Sequence, residues 1–268
     1  MTKSEEVNLV LLGNTGSGKS YISRALGCDF VSTRSADGHG VTRYIQTAAV
    51  ELNGVKYTVI DTPGLVENDK SKMQENADEI VKALKTGGKF KILVVVRDES
   101  GRDDTRVSYF AKKIHDAVPE NVKLALVMNK VAVCDIDRVN EEAMAKTCQR
   151  YNEYGNIFDP SYVMKIKEAN LPPGNDDYTS QNAKDSFRLI KLDLIELLEK
   201  MDPVDINPTA VKSITANEKD YSVWEDIVKW AKTAGKAFLK AALDLFTPGT
   251  YGRVTEEIEK ERRKLDQQ

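Results

Sequence analysis

No stretch of the 268 residues stays apolar for more than a handful of positions, far short of the roughly 20 that a bilayer-spanning helix needs. Any membrane contact is therefore expected to be peripheral. Cysteine is scarce: Cys28, Cys134 and Cys148 form an odd set without the paired spacing of a zinc site. With no apolar signal segment at the N-terminus, this usage predicts a reducing, cytoplasmic setting. An excess of one charge is also missing, since 39 Lys and Arg stand against 42 Asp and Glu for a net charge of −3. No overall field draws a phosphate backbone, so nucleic acid is not expected as a partner. The hydrophobic fraction of 41% suffices for a sizeable core, in one enlarged α/β domain or one domain with an appendage.

Short apolar runs alternate with segments of helical spacing. Val7 to Leu12 is too short for a helix and runs straight into Gly13, as a buried parallel strand entering a turn does. Lys19 to Leu26 has helical spacing and stops at Gly27. Residues 45–52 and 56–60 read as two strands joined by Asn53-Gly54, a pair that favours a tight hairpin. Residues 77–84 and 107–117 read as helices, 91–96, 123–128 and 162–166 as strands, and 186–201 as a closing helix. The alternation predicts an α/β fold with a mainly parallel central sheet flanked by helices, and a ligand at the carboxyl ends of the strands. The expected divisions are a nucleotide domain over 1–201, a linker over 202–222 containing Pro203 and Pro208, and a C-terminal helical extension over 223–268.

The segment GNTGSGKS fits G-x-x-x-x-G-K-[ST] at Gly13, Gly18, Lys19 and Ser20, between the expected strand and helix. Glycines allow successive backbone N–H groups to curl around a phosphate, with Asn14, Thr15, Gly16 and Ser17 filling the cradle. Lys19 reaches the β and γ phosphates, and Ser20 supplies a hydroxyl for Mg²⁺. Asp61-Thr62-Pro63-Gly64 leaves the end of a hydrophobic strand, where a carboxylate can hold Mg²⁺ through water and the Gly64 N–H can meet a γ-phosphate. Thr42, between the first helix and the next strand, is placed to cap Mg²⁺ and γ-phosphate. These features define a P-loop nucleoside triphosphatase.

Four segments together resemble the AIG1-type GTPases, the group that includes the immunity-associated GTPases and is related to the Toc receptors and septins. They are LLGNTGSGKS, Phe30-Val31-Ser32 with GVTRYIQ, YTVIDTPGL, and Ser100-Gly101-Arg102 before a helix. The resemblance covers roughly residues 6–200 and implies GTP and GDP as ligands, Mg²⁺, and nucleotide-dependent homodimerisation. Asn129-Lys130 stands where many GTPases carry N-K-x-D, with Ala132 replacing the aspartate. The loss weakens guanine discrimination, and Asp135 or Asp137 could reach the base instead. Glu168-Ala169-Asn170 resembles the family's fifth motif and places Glu168 and Asn170 at the base edge.

Leu65 follows Gly64 where small GTPases carry a water-positioning glutamine, which predicts slow turnover by a lone chain. Arg102, delivered across a nucleotide-facing dimer, is the candidate for meeting charge that develops on the transferred phosphoryl group. Residues 224–246 form an amphipathic stripe with Lys229, Lys232, Lys236 and Lys240 gathered opposite. That stripe is expected to pack on the domain or on a second copy, to adsorb to an anionic membrane surface, or to serve as a free partner-binding helix. The leading expectation is a GTP-hydrolysing switch or assembly GTPase. The alternatives are a nucleotide-regulated scaffold with negligible turnover and a P-loop ATPase or kinase.

Overall fold

The first strand, β1 (Glu6–Gly13), is buried at nearly every position, the signature of a strand covered on both faces. The computed structural model describes residues 6–28, 30, 44–64, 70–97, 105–118, 120, 122–131, 141–167 and 181–215, which fall within the unit Met1–Ala216. The expected helix over 224–246 lies outside the described residues.

In chain order the further elements are α1 (Lys19–Leu26), β2 (Gln46–Leu52), β3 (Val55–Asp61), α2 (Lys70–Leu84) and β4 (Gly88–Arg97). They continue with α3 (Thr105–Ala117), β5 (Leu124–Val131), α4 (Glu141–Tyr151), β6 (Phe158–Lys167), α5 (Gln181–Lys200) and β7 (Val204–Ile206). The sheet runs β2-β3-β1-β4-β5-β6, with β7 pairing β4. Four pairings are parallel, namely β1 with β3, β1 with β4, β4 with β5 and β5 with β6. Antiparallel β2 joins β3 through Asn53-Gly54, both with positive φ (46° and 80°), as a tight hairpin turn matched to the strands' twist requires.

Side chains alternate across the sheet. Leu9, Leu11, Val59, Leu93, Val95, Ala125 and Val127 share one core with Ile22 and Leu26 of α1 and Ile190, Leu194, Leu197 and Leu198 of α5. On the opposite face Val10, Leu12, Ile92, Val94 and Val96 are equally buried. Lys91 interrupts the first of these cores. Its ammonium donates to the Leu198 carbonyl at 2.6 Å, closing the last turn of α5, where a cation also meets the negative end of the helix. Burial lowers the Lys91 pKa, against the pull of Asp202 and Glu199.

Three differences from the sequence reading have physical causes. Helix α4 was not anticipated, because its buried positions Thr147, Cys148 and Tyr151 are too few and too mixed in polarity to form an apolar stripe. Strand β6 begins at Phe158 and contains Pro160, which an edge strand tolerates. The expected linker over 202–222 is, through residue 215, part of the domain. There β7 pairs antiparallel with the start of β4 (Gly88↔Ile206), Lys212 N–H donates to Ala117 O at 2.8 Å, and the Gln74 amide donates to Ile214 O at 2.9 Å. Ile206, Val211 and Ile214 are its buried anchors. Their irregular spacing between prolines hides them from any periodicity, and a three-residue strand is too short to announce itself. Ile206→Ala should therefore destabilise the protein by about 2 to 5 kcal/mol in urea unfolding, the cost of a core truncation. A true linker position would lose less than about 0.5 kcal/mol.

Candidate nucleotide-binding site

Because β1, β3, β4 and β5 are parallel, their carboxyl ends bring Gly13, Asp61, Arg97 and Asn129 to one edge of the sheet. The turn after β1 lies so close to its neighbours that side chains have no room. A Cβ on Gly13 would sit 2.2 Å from the Val95 carbonyl oxygen, and one on Gly18 1.9 Å from Asn129 Nδ2. Gly16 has open space around it but φ of 76°, a left-handed conformation that disfavours other residues. Gly18 (φ 100°) caps α1 without a side-chain hydrogen bond, and the first turn carries no acidic residue. The opening amides of a helix have no partner within it, and here the positive end of the helix faces the cradle with no carboxylate in its own first turn.

Lys19 is buried and bends back over the loop, donating to Gly13 O at 2.8 Å and Asn14 O at 3.2 Å. Ser17 is buried, and its hydroxyl has no hydrogen-bond partner among the described residues. Asn129, near the end of β5, donates to Ser17 O at 2.9 Å, so the first residue of the expected base motif clamps the phosphate loop from two strands away, across β4. Lys130 belongs to the same strand by its backbone.

The end of β3 meets the loop from the other side. Ser20 Oγ donates to Asp61 Oδ2 at 3.2 Å. Asp61 is fully buried, and its Oδ1 accepts no hydrogen bond among the described residues. Burial raises its pKa, partly opposed by the Lys19 charge and the Ser20 bond. A hydroxyl beside an unsatisfied carboxylate suits a hard cation that draws its remaining ligands from phosphate and water. The turn that follows is held at two points. Thr62 Oγ1 donates to Leu11 O at 2.8 Å, and the Asn76 amide of α2 donates to Gly64 O at 2.8 Å. Neither contact was expected from the sequence. For Asn76 a signal existed: an asparagine sits within the buried stripe of Met73, Ala77 and Ile80.

The structure thus gathers Gly13, Asn14, Thr15, Gly16, Ser17, Gly18, Lys19, Ser20, Asp61 and Asn129 around one cradle, with Gly64 three residues beyond Asp61 and held by Asn76. Thr42, Arg102, Glu168 and Asn170 lie outside the described residues, as do Leu65, Ala132, Asp135 and Asp137. Cys28 and Cys148 are buried thiols whose pKa values burial pushes up to about 11, which makes them packing groups and not nucleophiles at neutral pH.

A glycine cradle at a helix N-terminus, a buried lysine, and a helix serine bonded to an aspartate on the adjoining strand define a P-loop nucleotide-binding domain. Residues 8–130, just under half of the chain, match the family model described as 50S ribosome-binding GTPase. The chain is similar to Immune-associated nucleotide-binding protein 7 of Arabidopsis thaliana, 39% identical over 92 residues, covering 33% of this chain and 29% of that protein. That likeness agrees with the AIG1-type motifs. It is also similar to the tRNA modification GTPase MnmE of Francisella tularensis, 26% identical over 132 residues, covering 48% of this chain and 28% of that protein. The chain spans less than a third of the length of either relative. Among solved structures, a dimerization-deficient mutant of Toc33 from Arabidopsis thaliana aligns with a TM-score of 0.47 and 15% identity, over 75% of this chain and 88% of that one.

Asp61 yields a prediction with a definite sign. Its raised pKa means that the folded state favours the protonated acid. That contribution is complete below the unfolded-state pKa and is lost as pH rises through the folded-state value. The ionised form is the costly one, because burial desolvates it and one of its oxygens accepts no hydrogen bond among the described residues. Asp61→Asn should raise the stability of the ligand-free protein by about 1 kcal/mol at pH values above the folded-state pKa of Asp61, and should remove any stabilisation that added Mg²⁺ and nucleotide confer. Thermal unfolding with and without Mg²⁺ and GTP measures both effects.

Proposed function

We propose that the chain binds GTP with Mg²⁺, hydrolyses it to GDP and phosphate, and acts as a nucleotide-controlled switch that assembles as a homodimer. The observation that carries this reading is the Ser20–Asp61 contact at 3.2 Å, which brings a metal-binding hydroxyl of the phosphate loop to a buried carboxylate three residues before Gly64. In this arrangement the loop amides and Lys19 hold the β and γ phosphates, and Ser20 and Asp61 hold Mg²⁺ directly or through water. The Gly64 N–H meets the γ-phosphate, and Thr42 caps the metal. Guanine as the base is supported by the GTPase match over residues 8–130 and by Asn129-Lys130 at the end of β5. Glu168 and Asn170 complete the base edge.

Turnover is the less complete part of the machinery, because Leu65 cannot orient water by hydrogen bonding. The proposed remedy is Arg102 of a second copy, acting on charge that exists only in the transition state. A nucleotide-regulated scaffold with negligible turnover is the second reading, and Leu65 is the observation that favours it.

Titration of the purified chain with GTP and with ATP tests the base assignment. GTP should bind at least tenfold more tightly, a difference of about 1.4 kcal/mol, and a preference for ATP would refute the reading. Lys19→Ala should abolish triphosphate binding in a protein that still folds. Phosphate release per molecule should rise with protein concentration, and Arg102→Ala should remove that rise while leaving GTP affinity nearly intact. Turnover independent of concentration, with full activity in Arg102→Ala, would show that the arginine is only a surface charge.

A further inference from the structure

Asn76 is a polar side chain in an apolar place. It lies in α2 between Met73 and Ile80, is 9% exposed, and stands beside Ala77 in the stripe that the helix buries. An amide there loses its water, and leaving it unsatisfied would cost free energy. Its compensation is one long-range contact: Nδ2 donates to the Gly64 carbonyl at 2.8 Å, wholly buried. Gly64 is the last residue of the turn that begins at the buried Asp61. Without a Cβ, glycine rotates freely about ψ, so nothing intrinsic to Gly64 fixes the peptide that follows it. The preceding residues are restrained differently, Thr62 by its bond to Leu11 O and Pro63 by its ring. The Asn76 contact therefore restrains a joint of this turn that the backbone leaves loose.

We propose that Asn76 is a positioning residue that sets the preference of this site for a triphosphate over a diphosphate. The inference rests on the reading that the Gly64 N–H meets a γ-phosphate. Holding the Gly64 carbonyl against α2 keeps a partial negative charge turned away from the place where the terminal phosphate lies. Released, the peptide after Gly64 can rotate and present that oxygen to a phosphate oxygen, which repels it. A diphosphate does not extend to this turn, so the contact acts on one nucleotide and not the other. Asn76 touches neither nucleotide nor metal, and its effect passes through Gly64.

The test is the affinity of the full chain for a non-hydrolysable GTP analogue and for GDP, both with Mg²⁺, in wild type, Asn76→Ala and Asn76→Leu. Leucine keeps most of the side-chain volume and removes the donor, which separates the hydrogen bond from packing. Both variants should bind the analogue roughly tenfold more weakly, as expected for one buried hydrogen bond, with GDP affinity unchanged within about twofold. Equal weakening of both nucleotides would show that Asn76 only supports the fold, and unchanged affinities would show that the contact is idle. Either result overturns the proposal. If Asn76→Ala does not fold, Asn76→Ser, too short to span the distance, replaces it. Failure of the wild type to bind the analogue would instead remove the GTP reading beneath the proposal, and no variant is needed to see that outcome.

Discussion

The architecture of the site depends on how closely the phosphate loop lies against the strands beside β1. Gly13 approaches the Val95 carbonyl and Gly18 approaches the Asn129 amide at distances that no Cβ could occupy. Because the loop lies that low, Asn129 can reach Ser17 O from two strands away, and α1 starts with its amides at the mouth of the cradle. The central sheet supplies the rigidity behind this contact. β4 is buried from Phe90 through Val96 and holds β1 on one side and β5 on the other. A loop with little hydrophobic content of its own is thus held in register by three strands that have a great deal.

Binding and stability conflict at Asp61. A carboxylate with no exposure and one unsatisfied oxygen is a poor choice for holding a fold together. It becomes intelligible if its partner is a cation that arrives with the ligand, because the same burial that weakens the free protein strengthens the attraction once the charge is matched. Lys91 shows the structural counterpart of this situation. It is also buried and charged, but the Leu198 carbonyl satisfies it within the fold, so it caps a helix and needs nothing from outside.

How far the sequence could be read depended on whether a feature was local. Helix α1 was legible to the residue, since Gly18 and Gly27 punctuate it at both ends. The hairpin at Asn53-Gly54 was equally legible, because the turn chemistry is contained in two residues. The phosphate loop and Asp61 carried fixed spacings that point to one chemistry. What escaped was set by distant partners. The segment over 202–215 reads as a proline-containing linker until β4 and α3 are there to receive it. Helix α4 buries a small, mixed face that no periodicity reveals. Asn76 and Thr62 act through bonds to Gly64 and Leu11, and only the folded chain brings those residues together.

The central claim is that one cradle holds a guanine nucleotide's phosphates and a Mg²⁺ ion together. A crystal structure of the chain with a non-hydrolysable GTP analogue and Mg²⁺ tests it most directly. The account predicts the β-phosphate inside the loop from Gly13 to Ser20, the metal in contact with Ser20 Oγ and linked to Asp61, and the γ-phosphate facing the Gly64 N–H. Nucleotide bound away from that loop, or a metal held without Ser20 and Asp61, would contradict it.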